Sequence, residues 1–289
     1  MSRIRVGLSA CVIVLMTAVG ALAQAPDPLT SPAEAGGGES DGSGPATPSD
    51  PPTPAEATAT LYPDRPFSQV LPNLWTDFKR YPSVDTLVVL GIGGALSGIA
   101  SKNDDYFTEH ASAGGTDDIF EVGGGLGDGF LQAGIALGTY AVGRLNGHPK
   151  TAHVGADLIR AQLVTGILTH ALKFAVQRER PTTEDGTESD STSDTYSFPS
   201  GHAAASFTTA TVLWRHLGWK MGVPATVLAG YVSAARLQQN QHYMSDVIFG
   251  AALGVATGRT VTMGHGERKV AIVPTVTRGG GALMFALVP

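Results

Sequence analysis

Three short segments gather cations and histidines in a chain where only 15% of the residues are charged. The first is Lys173-Phe174-Ala175-Val176-Gln177-Arg178-Glu179-Arg180-Pro181. Two turns of helix would bring Lys173 and Arg180 to one face, and Pro181 would put Arg180 at the helix end, turned toward a cleft. The second, Pro199-Ser200-Gly201-His202, stands before an apolar helical run. A Ser-Gly pair at a helix start offers the backbone N–H groups of Ser200 and Gly201 to an anion, and His202 can exchange a proton beside it. In the third, Arg236 is followed by His242-Tyr243-Met244-Ser245-Asp246. If this segment is helical from Gln241, His242 and Asp246 share a face; the carboxylate holds one ring nitrogen's proton and leaves the other nitrogen as nucleophile or base. Taken singly, each segment also fits a structural use: a basic helix terminus, a serine cap, a His–Asp contact.

The combination is more specific. Lys, six residues, Arg-Pro, then Pro-Ser-Gly-His, then Arg, five residues, His, three residues, Asp resembles the type 2 phosphatidic acid phosphatase and vanadium haloperoxidase superfamily, over about a quarter of the chain. One position departs from the pattern: Ala235 stands where that family has serine before Arg236, which removes a hydroxyl near the anion site. The resemblance implies an all-α helical bundle of the acid phosphatase/haloperoxidase type and a phosphoryl transfer without a metal. It implies that His242 attacks phosphorus and forms a phosphohistidine, with Asp246 orienting it. His202 protonates the leaving oxygen and then activates water. Lys173, Arg180, Arg236 and the N–H groups of Ser200 and Gly201 hold the equatorial oxygens. The leading expectation is an exported phosphatase acting on phosphate monoesters or on lipid phosphates and diphosphates. The alternative is a haloperoxidase with vanadate as its cofactor, since vanadate occupies the same cradle; a non-catalytic anion-binding module is the third. The motifs alone do not separate phosphatase from peroxidase.

These groups need a scaffold, and the chain supplies apolar stretches at Val84–Ala100, Ile119–Leu145, Val154–Gln177, Ala203–Leu217, Val223–Leu237 and Val247–Met263. Their length and Ala/Gly/Leu/Val content predict helices. The chain's 37 glycines suggest close backbone approach between them. Asp128, Asp157, Arg160, Arg215, Arg236 and Arg259 interrupt or bound the stretches, which favours a soluble bundle over a multi-spanning one. Val270–Val273 and Ala282–Phe285, flanking Arg278-Gly279-Gly280-Gly281, predict a short C-terminal β-hairpin.

Composition narrows the rest. The net charge of −6 is uneven. From residue 67 onward, outside the acidic stretch 182–197, sixteen bases face thirteen acids, so the body is mildly basic. No cluster of bases is dense enough for nucleic acid, and the expected partner is a phosphorylated small molecule or lipid phosphate, with membrane contact if the substrate is a lipid. The single cysteine, Cys11, excludes a disulfide framework and a Cys-based zinc site. Residues 1–23 have a basic start, an apolar run and Ala21-Leu22-Ala23, the pattern of a signal peptide for export to the periplasm or beyond. Residues 24–66, rich in Pro, Ala and acids, read as a disordered tether, and 67–289 as the phosphatase-like domain with its motif core at 173–246. The run Gly123-Gly124-Gly125-Leu126-Gly127-Asp128-Gly129 lacks the Lys of a phosphate loop and reads as packing or a turn. Asp104, Asp105, Glu109 and His110 read as solvated loop charge, and His170 as a packed histidine.

Overall fold

The structure is a computed structural model that describes residues 66–112, 117–181, 196–263, 269–277 and 280–288. The expected signal peptide, the expected tether as far as residue 65, and most of the acidic stretch 182–197 lie outside the described residues.

The helical unit comprises α1 (Val70–Arg80), α2 (Val84–Ala100), α3 (Asp104–Ser112), α4 (Asp117–Leu126), α5 (Gly129–Leu145), α6 (Pro149–Val176), α7 (Gly201–Leu217), α8 (Trp219–Gln238) and α9 (Met244–Thr262). The all-α expectation holds for this unit. The C-terminal residues form the expected hairpin, β1 (Lys269–Thr277) antiparallel to β2 (Gly280–Val288), with Ile272 opposite Phe285. The hairpin falls in a second compact unit.

Local chemistry sets the helix ends. Ser83 caps α2 by accepting from Thr86 N, Asp128 caps α5 by accepting from Phe130 N and Leu131 N, and Pro149 opens α6. The stretch 119–145, expected as one helical stretch with Asp128 among the interrupting charges, is therefore two helices broken at Asp128. Helix α6 stops at Val176, where Gln177 turns left-handed at φ 52°. Arg180 thus lies beyond the helix, and two turns of helix do not align it with Lys173. Helices α1 and α3 were not among the predicted elements, because α1 is amphipathic and α3 is mostly polar.

Glycine decides how closely the helices pack. Along α9, Gly250, Gly254 and Gly258 face α7: a Cβ on Gly250 would overlap Ser200 O, one on Gly254 would overlap Ala204 O, and one on Gly258 would press on Thr211. Gly93 of α2 meets Ala252 of α9 in the same way, and Gly143 of α5 meets the backbone at Ala152 of α6. The core between α7 and α9 is filled by Phe207, Val247, Ala251 and Val255. A second cluster, with Val154, Leu158, Val164, Val212 and Val261, joins α6 to the far ends of α7 and α9.

Two of the charges that interrupt the apolar stretches, Asp157 and Arg160, are turned inward. Asp157 and Arg160 are buried against each other, and Arg259 makes two 2.8 Å hydrogen bonds to Asp85. The outer surface carries the large apolar side chains instead. Val84, Leu87 and Ile99 of α2, Phe130 and Leu145 of α5, Ile167 and Phe174 of α6 and Trp219 and Val227 of α8 are all more than half exposed or at that threshold, Phe130 reaching 91%. A soluble bundle would hide such residues. Among the described residues, Val84–Ala111 is long and apolar enough to cross a membrane. The inward pairing of the charges is the physical reason that counting them along the chain favoured a soluble protein.

The glycine contacts give a test by thermal unfolding. Gly254→Ala should lower stability by about 1–3 kcal/mol, because its Cβ meets backbone that cannot rotate away. Gly98→Ala, with nothing within 4 Å, should be neutral or stabilising by up to about 1 kcal/mol.

Candidate active site

The starts of α7 and α9 lie side by side, and the three segments singled out in the sequence converge there. Ser200 caps α7 through its Oγ, which accepts from Ala203 N, while Ser200 N donates to Asp246 O at 3.1 Å. This corrects one expectation. The Ser200 N–H is engaged by the backbone of α9, so the N–H groups at the start of α7 that point out of the helix without an intrahelical acceptor are those of Gly201 and His202.

His242 is buried and precedes α9 by two residues, so the pair with Asp246 is made across a turn and not along one helical face. Its Nδ1 stands 3.7 Å from Asp246 Oδ2, close enough for ion pairing and too long for a hydrogen bond. Asp246 Oδ2 accepts from Tyr243 N at 2.9 Å, which fixes the turn that carries His242. Burial pushes the His242 imidazole down to about 4; Asp246 pulls it up, and Arg180 and Lys173 add to the fall. The ring is therefore neutral over the whole ordinary pH range. The charged and titratable neighbours acting on His202 are Arg236, His242, Asp128 and Arg180, so the two histidines and the cations lie in one neighbourhood.

Neutral groups accept hydrogen bonds from each of the three cations. Lys173, buried in α6, donates to Tyr196 O just ahead of the Pro-Ser-Gly-His segment. Arg180 Nη1 donates to Gln241 O at 2.7 Å and to Gln241 Oε1 at 3.0 Å. Arg236 Nη1 donates to Gln239 Oε1 at 2.9 Å, and Gln239 Nε2 donates in turn to Phe120 O. Gln239 and Gln241 were not flagged in the sequence, where an amide beside a histidine carries no signal of its own.

A further layer was missed altogether. Arg178 Nη1 donates to Asp246 Oδ1 at 2.9 Å and to Ser245 Oγ at 2.6 Å; its Nη2 donates to Asp104 Oδ2 at 2.9 Å. The guanidinium also lies 3.9 Å from the centroid of the Tyr243 ring. Asp104 Oδ1 accepts from Ser245 N at 3.0 Å. Asp104 is thus a buried anchor of the α9 start and not solvated loop charge. His170, by contrast, is exposed, against the expectation of a packed ring. The glycine-rich run proves to be packing, as expected, but against the site itself. A Cβ on Gly123 would overlap Ala235, one on Gly124 would lie 3.2 Å from Arg236 Nη1, and one on Gly127 would lie 3.0 Å from His202. Ala235 therefore occupies a position where α4 leaves little room.

Two variants test this arrangement. Arg178→Gln should cost about 1–3 kcal/mol in unfolding measurements, because Asp104 and Asp246 lose a charged donor while remaining buried. Gly124→Val should weaken binding of a phosphate analogue by displacing Arg236, with less effect on thermal unfolding than Gly254→Ala.

Comparison with known proteins finds likenesses over this region. The model of the PAP2 superfamily matches residues 155–269, which contain every residue of the three segments. A lipid A 1-phosphatase from Porphyromonas gingivalis is 37% identical over 108 residues, covering 36% of this chain and 22% of the relative, so the chain matches about a fifth of that protein's length. In fold, the helical chain is similar to the crystal structure of a transmembrane PAP2 type phosphatidylglycerolphosphate phosphatase from Bacillus subtilis. The likeness has a TM-score of 0.50 and 21% identity, and covers 62% of this chain and 93% of the other. The segment 155–269, with its lysine, arginines and histidines in order, is the part of the chain that matches the PAP2 superfamily.

Proposed function

We propose that this chain is a membrane-associated phosphatase that hydrolyses a lipid phosphate through a phosphohistidine on His242. The observation that carries the proposal is the meeting of His202, His242 with Asp246, Lys173, Arg180 and Arg236 at the paired starts of α7 and α9. A buried neutral imidazole beside a carboxylate is a nucleophile; the surrounding cations suit a phosphoryl group whose charge spreads over three oxygens in the transition state.

In the first step the Nε2 lone pair of His242 forms a bond to phosphorus as the ester P–O bond breaks. Asp246 receives the Nδ1 proton's hydrogen bond as the ring gains charge, and His202 gives a proton to the leaving oxygen. A bound dianion beside His202 favours its protonated form, so substrate prepares its own acid. In the second step water attacks phosphorus, its proton passes to His202, and the P–N bond breaks to release phosphate. Lys173, Arg180, Arg236 and the first N–H groups of α7 hold the oxygens throughout, so side chains supply the balancing charge.

The apolar faces of α2, α5, α6 and α8 support a lipid substrate, since a bilayer would cover them and bring an acyl-linked phosphate to the site. The phosphatase activities named for the two relatives, on lipid A and on phosphatidylglycerolphosphate, agree with that class. Residues 1–23 support export, which would place the site outside the cytoplasm. No observation favours the vanadate reading.

His242→Ala should lower phosphate release from phosphatidic acid in mixed micelles by about 10³-fold or more. It should also abolish the acid-labile label left on the protein by radiolabelled substrate. Undiminished hydrolysis by this variant would refute the nucleophile, and equal rates on a small soluble ester would refute the lipid class. The His242 imidazole, followed by NMR with His242→Gln to assign it, should titrate near 4 and not near the ordinary value of about 6.5. Because the folded value lies below the unfolded one, the neutral ring's stabilising contribution is complete above about 6.5. It is lost as pH falls from there through about 4.

A further inference from the structure

A second cluster of histidines and acids lies inside the bundle, far from the phosphate site. His153 and Asp157 stand four residues apart on α6, and His216 reaches them from the last turn of α7. Asp157 is sixteen residues before Lys173 on one helix, and His216 is fourteen after His202 on another. At 1.5 Å per residue the cluster is therefore about 20–24 Å from the phosphate site along the bundle.

We propose that His153, Asp157 and His216 bind one divalent transition metal ion of the zinc class, which clamps α6 to α7. Asp157 Oδ2 is 2.9 Å from His216 Nε2 and 3.8 Å from His153 Nε2, and the three candidate ligand atoms all lie within 4.8 Å of one another. A tetrahedral ion with bonds of about 2.0–2.2 Å separates its ligands by about 3.3–3.5 Å, between the two distances observed. All three side chains are at most 3% exposed, and the two imidazole rings meet edge to face with centroids 5.5 Å apart.

The surroundings are those of an oriented ligand set. Arg160 Nη2 donates to Asp157 Oδ1 at 2.5 Å, which leaves Oδ2 as the oxygen directed at both histidines. Arg160 Nη1 donates to Asp77 Oδ2 at 2.7 Å, and Nη2 also reaches Val261 O at 3.3 Å. Ligating carboxylates are commonly held from behind in this way. Two imidazoles and one carboxylate select zinc, cobalt or nickel over magnesium or calcium. The ion would tie together α6, α7 and, through Arg160 and Asp77, α1. None of its ligands belongs to the phosphate site.

The test uses the full-length protein without a histidine tag, in detergent. Metal analysis after purification in zinc-supplemented medium should find about one zinc per chain, and His242→Ala should retain it. His153→Gln and His216→Gln should each reduce it to less than a tenth. Stripping wild type with a chelator should lower its thermal midpoint by several degrees, and zinc or cobalt should restore it. Cobalt should also give the visible ligand-field bands of a tetrahedral site, a readout on wild type that does not depend on the variants folding. Wild type that carries no stoichiometric metal and shows no midpoint shift with zinc or cobalt would overturn the proposal. So would zinc that persists in both glutamine variants.

Discussion

The close approach of α7 and α9 is the constraint on which the site depends. Three glycines one turn apart on α9 let its backbone lie against the carbonyls of α7, and Ser200 N donates across the contact to Asp246 O. The hydrogen bond ties the first residues of the two helices together. It thereby sets His202, in the first turn of α7, near His242, just ahead of α9. A side chain at any of the three glycines would separate the helices by the thickness of a methyl group or more. Histidine and its partner would then lose the shared pocket while both helices remained intact.

Around that contact the arginines divide by the partners that hold them. Arg160 lies between Asp77 and Asp157, Arg178 between Asp104 and Asp246, and Arg259 against Asp85. In each case a carboxylate offsets the cost of burying the guanidinium, and the pair serves to join helices. Arg180 and Arg236 are instead oriented by the amides of Gln241 and Gln239. Those hydrogen bonds fix the geometry of the two guanidinium groups. Under the proposed function, a phosphate would meet cations already aimed by these contacts. Arg178 connects the two groups: it is a structural arginine by its partners, yet one of those partners is the aspartate that orients His242.

The same division explains the surface. Because the interior absorbs the charges, the outside of α2, α5, α6 and α8 is left to leucine, valine, isoleucine and aromatics. That distribution inverts the usual arrangement of a bundle in water, and it gives the candidate site flanks that suit lipid.

Much of this was legible in residue order. The limits of α2 coincide with the apolar run Val84–Ala100, and the serine cap before Gly201 and the order of lysine, arginines, histidines and aspartate were all visible. These are local properties: a cap acts within one turn, and periodicity repeats along one element. Other features were settled only when distant segments met. Arg178 and Asp104 are 74 residues apart and Arg180 and Gln241 are 61 apart, so no window of sequence shows which groups each arginine meets. Nor does the chain order reveal that Asp157 and Arg160 face inward, or that His216 joins His153 at the far end of the bundle. Residue types determined what chemistry was possible; the helix contacts, through distance and desolvation, decided which groups carry it.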